Sequence, residues 1–76
     1  MNKARRAQLA NVAEEACGLS FRLEELKDEE QEYFDNMPES IQGSEKGELA
    51  ESAINAMQSA IDTIEDAVGL IEEAQG

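Results

Sequence analysis

The chain has one cysteine, Cys17, no histidine, no tryptophan and a single proline, Pro38. A lone cysteine forms no internal disulfide. Without histidine it completes neither a zinc-finger ligand set nor a Cys–His nucleophile pair, and Glu14, three residues before it, discourages a thiolate. The serines have no base nearby, and no Gly-rich phosphate loop is present, so no catalytic constellation is expected. No apolar run approaches the roughly 20 residues of a membrane-spanning helix. The opening Met1-Asn2-Lys3-Ala4-Arg5-Arg6 carries the charge of a signal-peptide head, but Glu14 and Glu15 arrive before any apolar stretch. The expected location is therefore cytoplasmic.

What is present is acid. Lys plus Arg number 6 against 18 Asp plus Glu, a net charge of −12. Such a charge repels nucleic acid and anionic membrane and favours basic partners. The distribution is uneven. Residues 1–22 hold Lys3, Arg5, Arg6 and Arg22 against Glu14 and Glu15, about +2, and residues 23–76 hold the remaining −14. At 76 residues the chain has room for one domain with a small core, marginal alone unless something staples it. With disulfide and metal set aside, oligomerisation is the remaining staple.

Two proline-free segments, about residues 3–35 and 45–75, carry helix-forming residues throughout, and residues 36–44 form a turn. Pro38 disfavours helix at Met37, while Gly43 and Ser44 supply an end signal and an N-cap. One turn of helix fits between Pro38 and Gln42. The second segment has a strict heptad: Ile54, Ile61 and Val68 at a, with Met57, Ile64 and Ile71 at d. Every g position is alanine (Ala53, Ala60, Ala67, Ala74), and the c positions are Leu49, Ala56, Thr63 and Leu70. The first segment places Leu9, Ala16 and Leu23 at a, with Val12, Leu19, Leu26 and Tyr33 at d; Glu30 interrupts the a row.

Folding one helix back on the other gives an all-α, coiled-coil-like antiparallel hairpin. A turn centred near Ser40 sets Leu9 against Ile71, Leu19 against Ile61 and Leu26 against Ile54. It also sets Lys3, Arg5 and Arg6, at the helix end that disfavours cations, beside Glu72 and Glu73, at the end that disfavours anions. A single hairpin has one internal interface, yet the apolar faces are wider than one seam. A homodimer forming a four-helix bundle would cover the rest. The expected dimer contact comprises Ala10, Ala13, Cys17 and Phe21 with Ala53, Ala56, Ala60, Ala67 and Leu70; Phe21 is its most characteristic member.

Glu24, Glu25, Asp28, Glu29, Glu32 and Asp35 form the densest acidic run. Like charges at i,i+4 cost a few tenths of a kcal/mol each, and these lie toward a helix C-terminus, so local stability did not select them. Carboxylates spaced about 5–6 Å apart along a helix imitate a row of phosphates, which suits a ligand for a basic, nucleic-acid-binding protein. The bland alternative is a solvated face of an acidic protein. Asp28, Glu30, Glu32 and Glu39 fall at calcium-loop spacing, but Tyr33 stands where the loop needs glycine. Di-iron bundles need histidine. No metal or cofactor is expected. Tyr33, Phe34, Met37 and Ile41 at the turn read as packing or as a small recognition patch.

The turn Phe34-Asp35-Asn36-Met37-Pro38-Glu39-Ser40-Ile41-Gln42, followed by Ser44, resembles a set of small uncharacterised acidic helical proteins of tailed phages and prophages. Those proteins share an F-D-N-(M/L)-P-E-x-(L/I)-Q-x-S turn between two helices. The resemblance spans about Leu23 to Ala74 and implies a phage origin, a bacterial host cytoplasm, and a role such as blocking a host defence or nucleic-acid protein. Together the readings give a non-enzymatic acidic interaction protein that binds a basic host protein through its carboxylate face. The alternative is a structural or adaptor homodimer that meets its partner through the apolar turn.

Overall fold

Residues 1–76 are described by a computed structural model. Helix α1 (Lys3–Asp35) starts where Asn2 caps it: the backbone at Asn2 is extended and its side-chain oxygen accepts the Arg5 N–H at 2.8 Å. This satisfies one of the orphan donors of a first turn. The helix stops at Asn36, two residues before the proline. Pro38 then opens a single turn, α2 (Glu39–Gln42), its carbonyl accepting the N–H groups of Ile41 and Gln42 at 2.8 and 3.0 Å. Helix α3 (Glu45–Gln75) returns along α1, and the molecule measures 58 × 15 × 11 Å. The fold is all-helical and hairpin-like.

Two details of the turn differ from expectation. Ser44 sits at the N-cap position with extended backbone, but its side chain makes no cap; the hydroxyl donates to the Ile41 carbonyl instead. Gly43 has φ −83°, which any residue adopts, so it is not a conformational end signal. The glycine the turn needs is Gly47. A Cβ there would lie 2.0 Å from the Gln42 carbonyl oxygen, so the backbone of α2 packs directly on the first turn of α3. Gln42 fixes the same corner from the other side, its amide donating to the Phe34 carbonyl at 3.0 Å.

The inner face of α3 is the anticipated heptad. Ile61 is 2% exposed and Ala50 3%, with Ile54, Met57, Ile64, Val68 and Ile71 half-buried along the same seam. Helix α1 turns a different face inward. Its covered residues are Leu9, Ala13, Ala16, Ser20, Leu23, Lys27, Glu30 and Phe34, a row spaced four and three alternately. The a row is retained, but the residues completing the seam are Ala13, Ser20, Lys27 and Phe34, not the expected Val12, Leu19, Leu26 and Tyr33. Those four are 47%, 52%, 53% and 45% exposed. Packing explains the rotation. Small side chains at Ala13, Ala16 and Ser20 let the branched residues of α3 approach closely, the large-on-small complementarity of dense cores. Lys27 joins the seam by burying its stem and carrying its ammonium to the edge, where it donates to Gln58 Oε1 at 2.7 Å.

The same hydrogen bond reports a register other than the expected one. The turn centred on Ser40 would set Lys27 against Ala53 and Cys17 against Thr63; instead Lys27 reaches Gln58, and Cys17 shares a cleft with Val68. The helices are displaced by about four to five residues, roughly 7 Å at 1.5 Å per residue. The basic first turn of α1 therefore projects past the end of α3. Residues 1–8 are all exposed, and no side-chain hydrogen bond joins Lys3, Arg5 or Arg6 to Glu72 or Glu73. The expected charge pairing of the two helix ends does not form within the hairpin.

Candidate functional site

The acidic residues of α1 lie outside the seam. Glu24, Glu25, Asp28, Glu29, Glu32 and Asp35 are all exposed, while Glu30 alone among the acids of the chain is half-covered. Glu25, Asp28, Glu32 and Asp35, spaced three, four and three, form a strip on the helix side farthest from α3. Gln31 steadies its end by donating to Asp35 at 2.9 Å. Exposed acids also run along α3 (Glu48, Glu51, Asp62, Asp66, Glu73), so the carboxylate surface extends beyond the run that stood out in the sequence.

The apolar turn is less open than expected. Phe34 and Met37 are half-buried against the hairpin end. Tyr33 and Ile41 remain exposed at 45% and 38%, and the Lys46 ammonium sits 5.8 Å from the centre of the Tyr33 ring. That distance suits a cation–π contact between the two.

The hairpin has two flanks, and the expected dimer residues divide between them. On the first flank, Cys17, Ser20, Phe21 and Glu24 face Glu65 and Val68 across an open cleft of about 210 Å³. On the second, Leu19, Arg22, Leu23 and Leu26 face Ile64 across one of about 330 Å³. Helical periodicity puts the g alanines of α3 on the side of Ile64 rather than of Glu65. Ala53, Ala60 and Ala67 therefore border the second flank, whereas Ala10, Cys17 and Phe21 border the first. Ala13 is 7% exposed, taken up inside the hairpin, and is not free for an outside contact. The sequence-derived interface does not form one surface. The residues that do share one are Val12, Leu19, Leu26 and Tyr33 of α1 with Ala53, Ala60 and Ala67 of α3. The signal was present in the sequence, because the d row of α1 is its most apolar row; what was hidden is that α3 does not use it.

The extent of uncovered surface can be put in area. The chain exposes 5579 Å². A compact monomer of 8.3 kDa would expose roughly 4,600 Å² by the usual mass scaling. The excess of about 1,000 Å² compares with the roughly 800 Å² that each partner commits to a standard protein interface.

Cys17 is exposed and unpaired. No three His, Cys, Asp or Glu side chains stand close enough to hold a metal ion, and no helix is long and apolar enough to cross a membrane. Comparison of the chain with protein-family models, curated proteins and solved structures finds no match.

Proposed function

We propose that this chain is a non-enzymatic interaction protein that works as a homodimer, two hairpins stacked into a four-helix bundle with an acidic exterior offered to a basic protein. The observation that carries the reading is the uncovered row Val12, Leu19, Leu26 and Tyr33. A seven-residue repeat of large apolar side chains, each about half exposed, is the pattern of a coiled-coil seam without its partner. Only five of 76 residues are buried, too small a core for comfortable stability in a lone hairpin. A second copy supplies what is missing and leaves the carboxylates outside. The resemblance of the turn to phage proteins makes a basic bacterial host protein the partner class.

Sedimentation in dilute neutral buffer tests the dimer. The expected species has twice the 8.3 kDa chain mass, and its melting temperature rises with concentration because folding is linked to association. A well-folded single-copy species would refute it. The acidic surface is tested separately, by neutralising Glu24, Glu25, Asp28, Glu29, Glu32 and Asp35 to amides and comparing capture of basic host proteins. Binding through carboxylates weakens steeply between about 50 and 500 mM salt, since the screening length falls from over 10 Å to a few ångströms. Capture unchanged by salt and by the amide variant would remove the acidic surface from the mechanism.

A further inference from the structure

We infer that the partner on the second flank is a second copy in one orientation: α1 lies antiparallel on α1 of its partner, with Leu19 at the twofold axis and the two turns at opposite ends of the dimer. The inference rests on the dimer proposed above and specifies its geometry. Two stacked hairpins related by a twofold axis can place α1 either over α1 of the other copy, turns apart, or over α3 of the other copy, turns together.

Three independent features select the first. Leu19 is the midpoint of Lys3–Asp35, so pairing about it overlays α1 along its whole length. It also sets Leu19 against its twin and Val12 against the partner's Leu26, closing the exposed row on itself. The second feature is charge beside that row. The g residues bordering it are Glu15, Arg22 and Glu29, and Arg22 lines the same cleft as Leu19. Antiparallel pairing about Leu19 brings Glu15 to the partner's Arg22 twice by symmetry. A register one step further along, with Leu19 against Leu26, would set Arg22 against its own copy and Glu15 against Glu29.

The third feature is the overhang. Lys3, Arg5 and Arg6 project beyond α3 with no acidic partner in their own hairpin. In the dimer Arg5, which continues the row of Val12 and Leu19, stands beside the partner's Tyr33, while Lys3 and Arg6, on other faces of α1, add positive charge at the level of the acidic end of the opposite α1. With the turns together, the same two acidic ends would crowd at one end of the bundle and repel. The alanines at g on α3 suit the first arrangement, because α3 then crosses its own copy over small side chains that permit close approach.

The test uses the full chain with Cys17→Ser throughout. Leu19→Cys is expected to give a disulfide-linked dimer on mild oxidation, while Phe21→Cys, on the opposite flank, stays monomeric on a non-reducing gel. Arg22→Glu, which turns both Glu15 contacts repulsive, is expected to raise the dimer dissociation constant about tenfold, and Glu15→Arg similarly; the double exchange restores it. Each variant is checked for unchanged helicity, so that a loss of association is not a loss of fold. If the parent chain dimerises but Leu19→Cys does not cross-link and the exchange does not rescue, this orientation is wrong and the dimer stands. If the parent chain is monomeric, both fall.

Discussion

Helices α1 and α3 are nearly equal in length, 33 and 31 residues, yet they contribute to the hairpin in opposite ways. α3 turns its isoleucines, Met57 and Val68 inward and keeps alanine beside them, leaving Leu49 and Leu70 exposed at 65% each. Beside Leu9, Leu23 and Phe34, α1 turns alanine, serine and a lysine stem inward and leaves Val12, Leu19, Leu26 and Tyr33 about half exposed. A helix selected only to pair with α3 would not waste Val12, Leu19 and Leu26, each worth about 1.5–3 kcal/mol when fully buried. The asymmetry is what the proposed dimer accounts for, with the exposed row of α1 as its main contact.

The largest effect should come from attacking the α3 side of this contrast. Ile61 is 2% exposed and the one large side chain fully enclosed. Ile61→Ala removes its packing and leaves a void, at a cost of about 2–5 kcal/mol. In a core this small that is expected to unfold most of the hairpin, seen as loss of helical circular dichroism at every protein concentration. Leu19→Ala should behave differently. At 52% exposure its loss costs the isolated hairpin little, so the damage should appear as weaker association. If the two variants lost the same stability with the same concentration dependence, the distinction between an internal and an external seam would be gone.

Next in size is Gly47→Ala. In an open helix interior alanine gains up to about 1 kcal/mol over glycine. Here the added methyl would meet the Gln42 carbonyl carbon and oxygen at 2.5 and 2.0 Å, both backbone atoms that cannot swing aside. The variant is expected to be destabilised by about 1–3 kcal/mol, the usual range for overpacking, with the Gln42–Phe34 hydrogen bond lost. Gly18→Ala and Gly69→Ala are the matched controls. Nothing lies within 4 Å of a Cβ at either, so each should raise the unfolding free energy measured by urea titration by the propensity gain of about 0.5–1 kcal/mol.

These contrasts also show how far the sequence could be read. The helix limits and the α3 seam were legible, because Pro38 interrupts the helix and the isoleucines of α3 meet no rival row. The α1 seam was not. Val12, Leu19, Leu26 and Tyr33 compete with Ala13, Ser20, Lys27 and Phe34 for the same seam, and hydrophobicity alone favours the first row. The structure takes the second because close approach to α3 depends on small residues, a property of the pair rather than of either helix. Register failed for a related reason: any heptad repeats every seven residues, so only α2 packed on Gly47 could set the slide. The acidic run was legible as charge, but its boundaries were not, since acids of α3 continue the surface. Gly47 could have been found. A glycine inside the first turn of a helix, just after a turn already rich in Gly and Ser, signals a close backbone approach.

The smallest expected effect concerns the residue that looked most like an interface from sequence. Phe21 is 69% exposed, and its cleft is shared with Glu24 and Glu65. An exposed aromatic between two carboxylates is poorly placed for a dry contact with a second acidic chain, whereas the opposite flank offers leucines backed by alanine. Phe21→Ser should therefore change hairpin stability by no more than about 0.5 kcal/mol, as surface substitutions usually do, and leave the dimer dissociation constant within twofold. Sedimentation of this variant beside Leu26→Ser makes the comparison direct, because each replaces one half-exposed or more exposed apolar side chain of α1 by the same residue. Loss of association in the leucine variant alone places the interface on the flank of Leu19 and Leu26. Loss in the phenylalanine variant alone would move it to the flank of Cys17 and Phe21, and the exposed heptad row would need a different occupant.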